Sequence, residues 1–256
     1  MQHSPRNSHK KTAEREKAQN AFSPTYKISP VAIVKSDFKE KFGVPRQSGR
    51  AETYAEVCFL PPYNVADAVR GIERFSHLWL IFAFSLNGSP EDKPFSPLVR
   101  PPRLGGNEKT GVFASRSPFR PNALGLSCVK LLSVDRTKSG VVLRVLGADL
   151  VDGTPVYDVK PYLPSSDKIQ TAIGGFSDQH ALDALTVDFP NHLLHLVPEE
   201  KREGLLSCLA DDPRPAYQND PNRVYGMSFD TFDVRFRVSN GVLTVVAVER
   251  LSSVCR

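Results

Sequence analysis

Arginines set among turn-forming residues are the most chemically suggestive feature of this 256-residue chain. Between positions 100 and 120 stand Arg100, Arg103, Lys109, Arg116 and Arg120 against a single acid, Glu108. Pro101, Pro102, Gly105, Gly106, Gly111 and Pro118 are interleaved with them, a density that argues against a regular helix. Arginine on a rigid turn presents a planar fork suited to phosphate or carboxylate. A second polar cluster, Asp212-Pro-Arg-Pro-Ala-Tyr217, reads on residue chemistry alone as a rigid loop with an internal Asp–Arg pair. Asp149 and Asp152 stand just ahead of Gly153, where an acid either caps a turn or contacts a ligand. Cys58, Cys128, Cys208 and Cys255 lie far apart, and the six histidines form no His-Glu-x-x-His pattern. Neither a metal site nor a disulfide framework is expected from that spacing. Gly106-Asn-Glu-Lys-Thr-Gly111 has the glycine spacing of a phosphate loop, but Val112-Phe113 follow where Lys-Ser/Thr is required. With no G-x-G-x-x-G after a strand, a Rossmann or P-loop nucleotide site is not expected either.

The elements that must position these residues are mostly strands. Val31–Val34 and Ala55–Leu60 read as short strands, with a polar turn region at 39–47 between them. Asn64 and Asp67 have capping-box spacing, and Val65, Val69, Ile72 and Phe75 follow at helical spacing, so a helix is expected from Asn64. Leu78–Phe84 is a continuous apolar run and reads as a buried strand, with Trp79 in the core and His77 a structural histidine ahead of it. Leu124–Val134 and Val141–Leu146 are two more strands around a polar turn. So many strands with one helix point to a sheet closed into a barrel rather than to alternating βαβ units. After Pro164 the texture changes, and Ser165-Ser-Asp167 reads as a linker. Residues 199–210 look helical. Phe232, Val234, Phe236 and Val238 alternate with polar residues, and Asn240-Gly241 then leads into Val242–Val248, a strong hairpin signal. The expected architecture is therefore mostly β with an α+β part. It comprises a basic tail over 1–27, a β-barrel domain of non-Rossmann type over 28–168, and a smaller C-terminal α+β domain over 169–256.

Composition bounds the function classes. With 40% hydrophobic residues the chain can bury a core, which excludes wholesale disorder. No apolar run approaches a membrane span, and no apolar stretch follows the start, so a soluble cytoplasmic protein is expected. The net charge of +5 lies mostly in the tail, where Arg6, Lys10, Lys11, Arg15, Lys17 and Lys27 face only Glu14 and Glu16. The tail reads as a solvated extension, the alternative being a basic arm for nucleic acid. The folded body is close to neutral.

A set of motifs, in order, carries a resemblance. They are Pro62-Tyr-Asn64, Ala68-Val-Arg-Gly-Ile-Glu73, Phe75-Ser-His-Leu-Trp79, Val99-Arg-Pro-Pro-Arg-Leu-Gly-Gly106, Gly111-Val-Phe-Ala-Ser-Arg-Ser117, Phe119-Arg-Pro-Asn122, Asp149-Leu-Val-Asp-Gly-Thr-Pro155, Lys160-Pro-Tyr162 and Asp212-Pro-Arg-Pro-Ala-Tyr217. Together, over roughly 28–250, the chain resembles the TrmO (YaeB/TsaA-like) family. These are S-adenosylmethionine-dependent methyltransferases acting on N6-threonylcarbamoyladenosine beside the tRNA anticodon. Ala123 departs from the pattern, standing where a second proline would complete Arg-Pro-Asn-Pro, and so does the basic tail.

The resemblance implies a barrel methyltransferase domain, a small C-terminal domain, and a homodimer that builds the cofactor pocket; the expectation of no metal and no membrane rests on the residue spacing and composition above. It implies that Pro45, Arg46, Gln47, Ser85, Leu86, Arg116, Leu126, Asp149, Leu150, Val151 and Asp152 line S-adenosylmethionine. Arg116 would then meet the methionine carboxylate or a phosphate. The acceptor nitrogen is urea-like and a poor nucleophile while protonated, so a base or a group stabilising the deprotonated form is wanted. The resemblance turns Asp212, Arg214 and Tyr217 into the catalytic candidates. Asp212 would accept the proton, and Arg214 would bind the carboxylate of the threonine moiety. Tyr217 and Tyr63, beside Asn64, would stack on or hydrogen-bond to the modified base. Arg100, Arg103 and Arg120 would contact tRNA phosphates or the modified nucleotide, or else brace the dimer. A reading from another class is an RNA-binding barrel without catalysis, which the basic loop and aromatics also permit. The cofactor-lining segments separate the two.

Overall fold

The computed structural model describes residues 26–87, 95–101, 108–138, 140–179, 184–215, 218 and 220–251. Six strands, β1 (Ala32–Ser36), β2 (Tyr54–Phe59), β3 (His77–Ala83), β6 (Leu124–Thr137), β7 (Gly140–Leu146) and β8 (Pro155–Pro161), close into a barrel. Their order round the barrel is β1-β2-β7-β6-β3-β8. Every neighbouring pair in it is antiparallel. Closure follows from strict alternation. Ala32 and Val34, Ala55 and Val57, Leu78, Leu80 and Phe82, Val141, Leu143 and Val145, and Val156 all point inward and are buried. A closed sheet leaves no unpaired edge to shield. A two-stranded ribbon, β4 (Leu98–Val99) with β5 (Thr110–Gly111), stands apart from it.

The C-terminal unit is a four-stranded sheet in the order β10 (Tyr225–Phe229), β11 (Phe232–Ser239), β12 (Val242–Arg250) and β9 (Thr186–Asp188). β9 runs parallel to β12, and the other pairs are antiparallel. The β11–β12 turn is Asn240-Gly241, with φ of 50° and 76°, the left-handed pair that a tight hairpin needs. The only helix among the described residues longer than one turn, α1 (Glu199–Ala210), buries Gly204, Leu205, Cys208 and Leu209. Glu199 and Glu200 in its first turn complement the helix dipole.

The two units share a seam. Phe38 and Ala51, from the barrel side, are buried in the C-terminal core with Leu205, Leu209, Met227 and Phe229. A Cβ on Gly204 would lie 3.0 Å from the Glu52 carbonyl oxygen, so glycine lets α1 reach the barrel's backbone. The Glu52 amide donates to Ser207 Oγ at 2.9 Å, Lys201 Nζ meets Asp37 at 2.5 Å, and Arg50 pairs with the buried Asp211. Burial pushes the Asp37 carboxyl above its ordinary value, with Lys201 opposing the shift.

Three local expectations are corrected. The helix from Asn64 is instead two short 3-10 turns, Ala66–Val69 and Ile72–Arg74, because Gly71 adopts φ 88° between them. Val65, not Asn64, is the N-cap of the first turn, and the Asn64 side chain packs against the β6–β7 turn at Gly140. The aromatic strand is not buried throughout: alternate residues are only half-buried on the outer face. Trp79 is one of these, and its Nε1 donates to Asp167 at 3.1 Å. That carboxylate also accepts from the Leu163 amide at 2.8 Å, so Pro164–Asp167 is an anchored helical turn rather than a linker. Residues 1–25 of the basic tail lie outside the described residues.

Candidate active site: two adjoining cavities

The barrel strands end in loops that converge at one mouth. β3 runs out into Phe84 and the turn Ser85–Asn87, β6 enters through Leu124–Ser127, and the turn after β7 carries Asp149–Val151. The loops at 44–47 and 113–122 complete the wall. Together they enclose a cavity of about 730 Å³, within the size range of small-molecule sites.

Its apolar side is Phe82, Phe84, Leu86, Phe113 and Leu126. The Phe82 and Phe84 rings meet edge-on at 5.2 Å. Gly125 is required under them, since a Cβ there would lie 2.2 Å from the Phe82 ring. The polar side centres on Asp149. Ser127 Oγ donates to Asp149 Oδ1 at 2.5 Å, and the Ser48 backbone and the Arg116 charge lie close by. Burial raises the Asp149 carboxyl above its ordinary value, and these donors oppose the shift. Arg116 is oriented by Gln47, whose Oε1 accepts from Nη1 at 2.6 Å. Arg120 also lines the cavity, and its Nη1 donates to the Ser115 carbonyl at 3.1 Å.

A smaller cavity of about 370 Å³ adjoins it and shares Lys41, Val44, Pro45 and Arg46 as lining. Its far wall is Cys208 and Asp211–Pro215, the loop that follows α1. Asp212 adopts φ 52°, and Pro213 and Pro215 fix the backbone around Arg214. Arg214 folds back on Asp212, donating from Nε to Oδ1 at 2.8 Å and from Nη2 to Oδ2 at 2.9 Å. This raises the guanidinium's already high pKa. The Arg214 side chain is 11% exposed, and its Nη1 has no hydrogen-bond partner among the described residues. The Tyr225 hydroxyl lies beside it without a well-formed hydrogen bond of its own. Burial pushes the Cys208 thiol far up, so Cys208 is a protonated wall group and no nucleophile.

Of the residues expected to hold a cofactor, Pro45, Arg46, Gln47, Ser85, Leu86, Arg116, Leu126, Asp149, Leu150 and Val151 all line the larger cavity. Asp152 does not. Its Oδ1 accepts from the Ser36 amide at 3.0 Å and its Oδ2 pairs with Lys39 at 2.9 Å, so it fixes the turn. The turn and ligand alternatives therefore divide between the two acids. Asp212 and Arg214 come together in the smaller cavity as the internal pair that residue chemistry predicted. Tyr63, Asn64 and Arg100 line neither cavity. Arg103 and Tyr217 lie outside the described residues. Sequence reasoning missed Lys41, Phe82, Phe113, Asn122 and Ser127. Only Ser127 left a signal, as a hydroxyl at an inward position of an otherwise apolar alternation.

Comparison with known proteins fits this geometry. The family model described as the tRNA-methyltransferase O N-terminal domain matches residues 33–168, and that of the TrmO C-terminal domain matches 183–251. A protein of Escherichia coli (strain K12) named tRNA (adenine(37)-N6)-methyltransferase is 41% identical over 236 residues, covering 88% of this chain and 98% of its own. A protein of Methanothermobacter thermautotrophicus named "Probable S-adenosyl-L-methionine-binding protein" is 36% identical over 143 residues, covering 56% of this chain and 94% of its own. The crystal structure of TrmO from Pseudomonas aeruginosa superposes with a TM-score of 0.71 at 30% identity, over 88% of this chain and 99% of that one.

Proposed function

The chain belongs to the tRNA-methyltransferase O family, and from that premise we propose that it methylates N6 of adenosine 37 in tRNA, taking S-adenosylmethionine as donor and the N6-threonylcarbamoylated nucleoside as acceptor. The observation that carries this reading is the larger cavity, lined by the half-buried Asp149 carboxylate, Arg116 and an aromatic side. A sulfonium amino acid offers the complementary groups: a cation for Asp149, a carboxylate for Arg116, and an adenine for the phenylalanines. S-adenosylmethionine, when bound, supplies an electrophilic methyl carbon. The residues of the chain hold and orient it. Gln47 sets the direction of Arg116, Ser127 that of Asp149, and Phe82 and Leu126 supply apolar wall.

The smaller cavity would take the acceptor. Arg214 keeps Nη1 for the threonine carboxylate, while Asp212 holds the rest of the fork. Because both Asp212 oxygens are engaged by that fork, its role is to orient Arg214 more than to take the proton directly. Tyr217, outside the described residues, is the candidate stacking residue on the family resemblance. Arg120, which lines the larger cavity, is placed to meet phosphate or nucleotide, and Arg100, Tyr63 and Asn64 are candidate RNA contacts outside both cavities. Phe113 and Phe119, 74% and 61% exposed near the mouth, support a homodimer in which a second copy covers that rim.

Mass spectrometry of anticodon-loop nucleosides tests the activity, after incubation of the purified protein with S-adenosylmethionine and either threonylcarbamoylated or unmodified tRNA. A methyl gain on the threonylcarbamoylated nucleoside alone is expected. Equal methylation of plain adenosine removes the acceptor assignment. No donor binding by calorimetry at millimolar concentration removes the enzyme and leaves an RNA-binding barrel.

A further inference from the structure

Arg46 and Gln47 are adjacent in sequence, yet they reach into different parts of the site. Gln47 accepts from Arg116 on the donor side. Arg46 turns toward the C-terminal unit: its Nη2 donates to the Arg214 carbonyl at 2.8 Å and to the Asp212 carbonyl at 3.2 Å. Those carbonyls flank Pro213, in a loop already stiffened by two prolines and by the Asp212–Arg214 pair. A loop that is rigid within itself still has to be set against the barrel. Two ties do so from the barrel side: Arg50 on Asp211 at the end of α1, and Arg46 on the loop's own backbone.

We infer that Arg46 is a positioning residue for the acceptor cavity, and that the two-residue step Arg46-Gln47 fixes the distance between the donor and acceptor halves of the site. The inference rests on the functional reading above. It gives Arg46, which lines both cavities, the task of holding the Asp212–Pro215 loop. One guanidinium nitrogen bridging two carbonyls holds a direction that a single hydrogen bond would not. Rate in a two-substrate reaction depends steeply on such alignment, because a displacement of about 1 Å can cost on the order of a hundredfold. Loss of the strut should therefore appear in turnover while donor binding stays intact.

The test uses the full-length wild type, Arg46→Ala and Arg46→Lys. Donor affinity is read by calorimetry, kcat and KM by turnover on threonylcarbamoylated tRNA at saturating donor. Loop order is read by hydrogen exchange of peptides spanning 208–218 in the ligand-free protein. Arg46→Ala should keep donor Kd within about threefold while kcat falls about tenfold or more, as loss of a charged hydrogen bond implies. Exchange in the loop should speed up about tenfold even without ligand. Arg46→Lys, which keeps a cationic donor, should recover part of both. A donor Kd raised more than about tenfold with normal turnover at saturation would make Arg46 a cofactor ligand and overturn the strut, as would unchanged loop exchange in Arg46→Ala. If the wild type binds no donor or methylates no RNA, the functional reading fails instead. The loop-exchange result then still decides whether Arg46 positions the loop.

Discussion

Replacing Asp149 with asparagine isolates the charge at the heart of the larger cavity, because the side chain keeps its size and its place as acceptor for Ser127 Oγ. In the free protein, burial raises this carboxyl above its ordinary value, so the folded state binds a proton more tightly than the unfolded one. The sign follows: the cost of holding Asp149 ionised is absent below the unfolded pKa, grows as pH rises through the folded pKa, and is complete above it. Asp149→Asn should therefore raise the melting temperature of the ligand-free protein at pH 8 and leave it little changed in acid. A cationic ligand works in the opposite direction, since it binds the ionised form. For the wild type, donor Kd should worsen by up to about tenfold for each pH unit below the folded pKa, and level off above it. At pH 8 the variant forfeits a charge-assisted contact of about 1.5–3 kcal/mol, or roughly 10- to 150-fold in Kd, and its acid limb disappears. Calorimetric titration of S-adenosylmethionine from pH 5 to 8 reads both effects. A variant that binds as tightly as the wild type at pH 8, with the same pH profile, refutes the placement of Asp149 against the donor's cation.

Two further perturbations test the parts around it. Gly125→Ala places a Cβ into the Phe82 ring, which is 4% exposed and can yield only toward the cavity; a stability loss of about 1–3 kcal/mol with weakened donor binding is expected, and unchanged melting and affinity would show that the ring moves freely. Arg50→Ala strands Asp211, whose side chain is 5% exposed. A loss of about 3 kcal/mol is expected in thermal melting, largely restored in Arg50→Ala/Asp211→Leu, and failure of that restoration would mean the pair is not the source of the loss.

What the sequence disclosed follows how local each signal was. The β11–β12 hairpin is written in Asn240-Gly241 and the alternation on either side, and α1 appears over the residues expected, 199–210. Both depend on neighbours within a few positions. The helix at Asn64 failed because Gly71 takes a left-handed conformation that apolar spacing does not reveal, and because Asn64 is engaged by a turn far along the chain at Gly140. Trp79 was misplaced for a related reason. A continuous apolar run says nothing about which face of a strand looks outward until the barrel's register is known. The site was legible mainly through family motifs, since its walls come from loops separated by up to 174 positions, from Lys41 to Pro215. Motif resemblance gathers such residues without saying which touch a ligand and which hold another residue.

Asp152 and Arg46 show why that distinction matters mechanistically. Each lies within a segment that lines the larger cavity, and each is tied to the scaffold: Asp152 to Ser36 and Lys39, and Arg46, through Nη2, to two carbonyls of the Asp212–Arg214 loop. A barrel can build a pocket only from the loops at its mouth, and loops are the least rigid part of a fold. Charged groups that tie loop to loop are then as necessary as those that face the ligand. They explain how a site assembled across a seam between two units holds its geometry without a metal cluster or disulfide among the described residues. The same reasoning ranks the mutations. Losing a ligand-facing charge such as Asp149 should cost affinity first, whereas losing a tie such as Arg46 should cost turnover first. A variant that inverted this order would place that residue on the other side of the division.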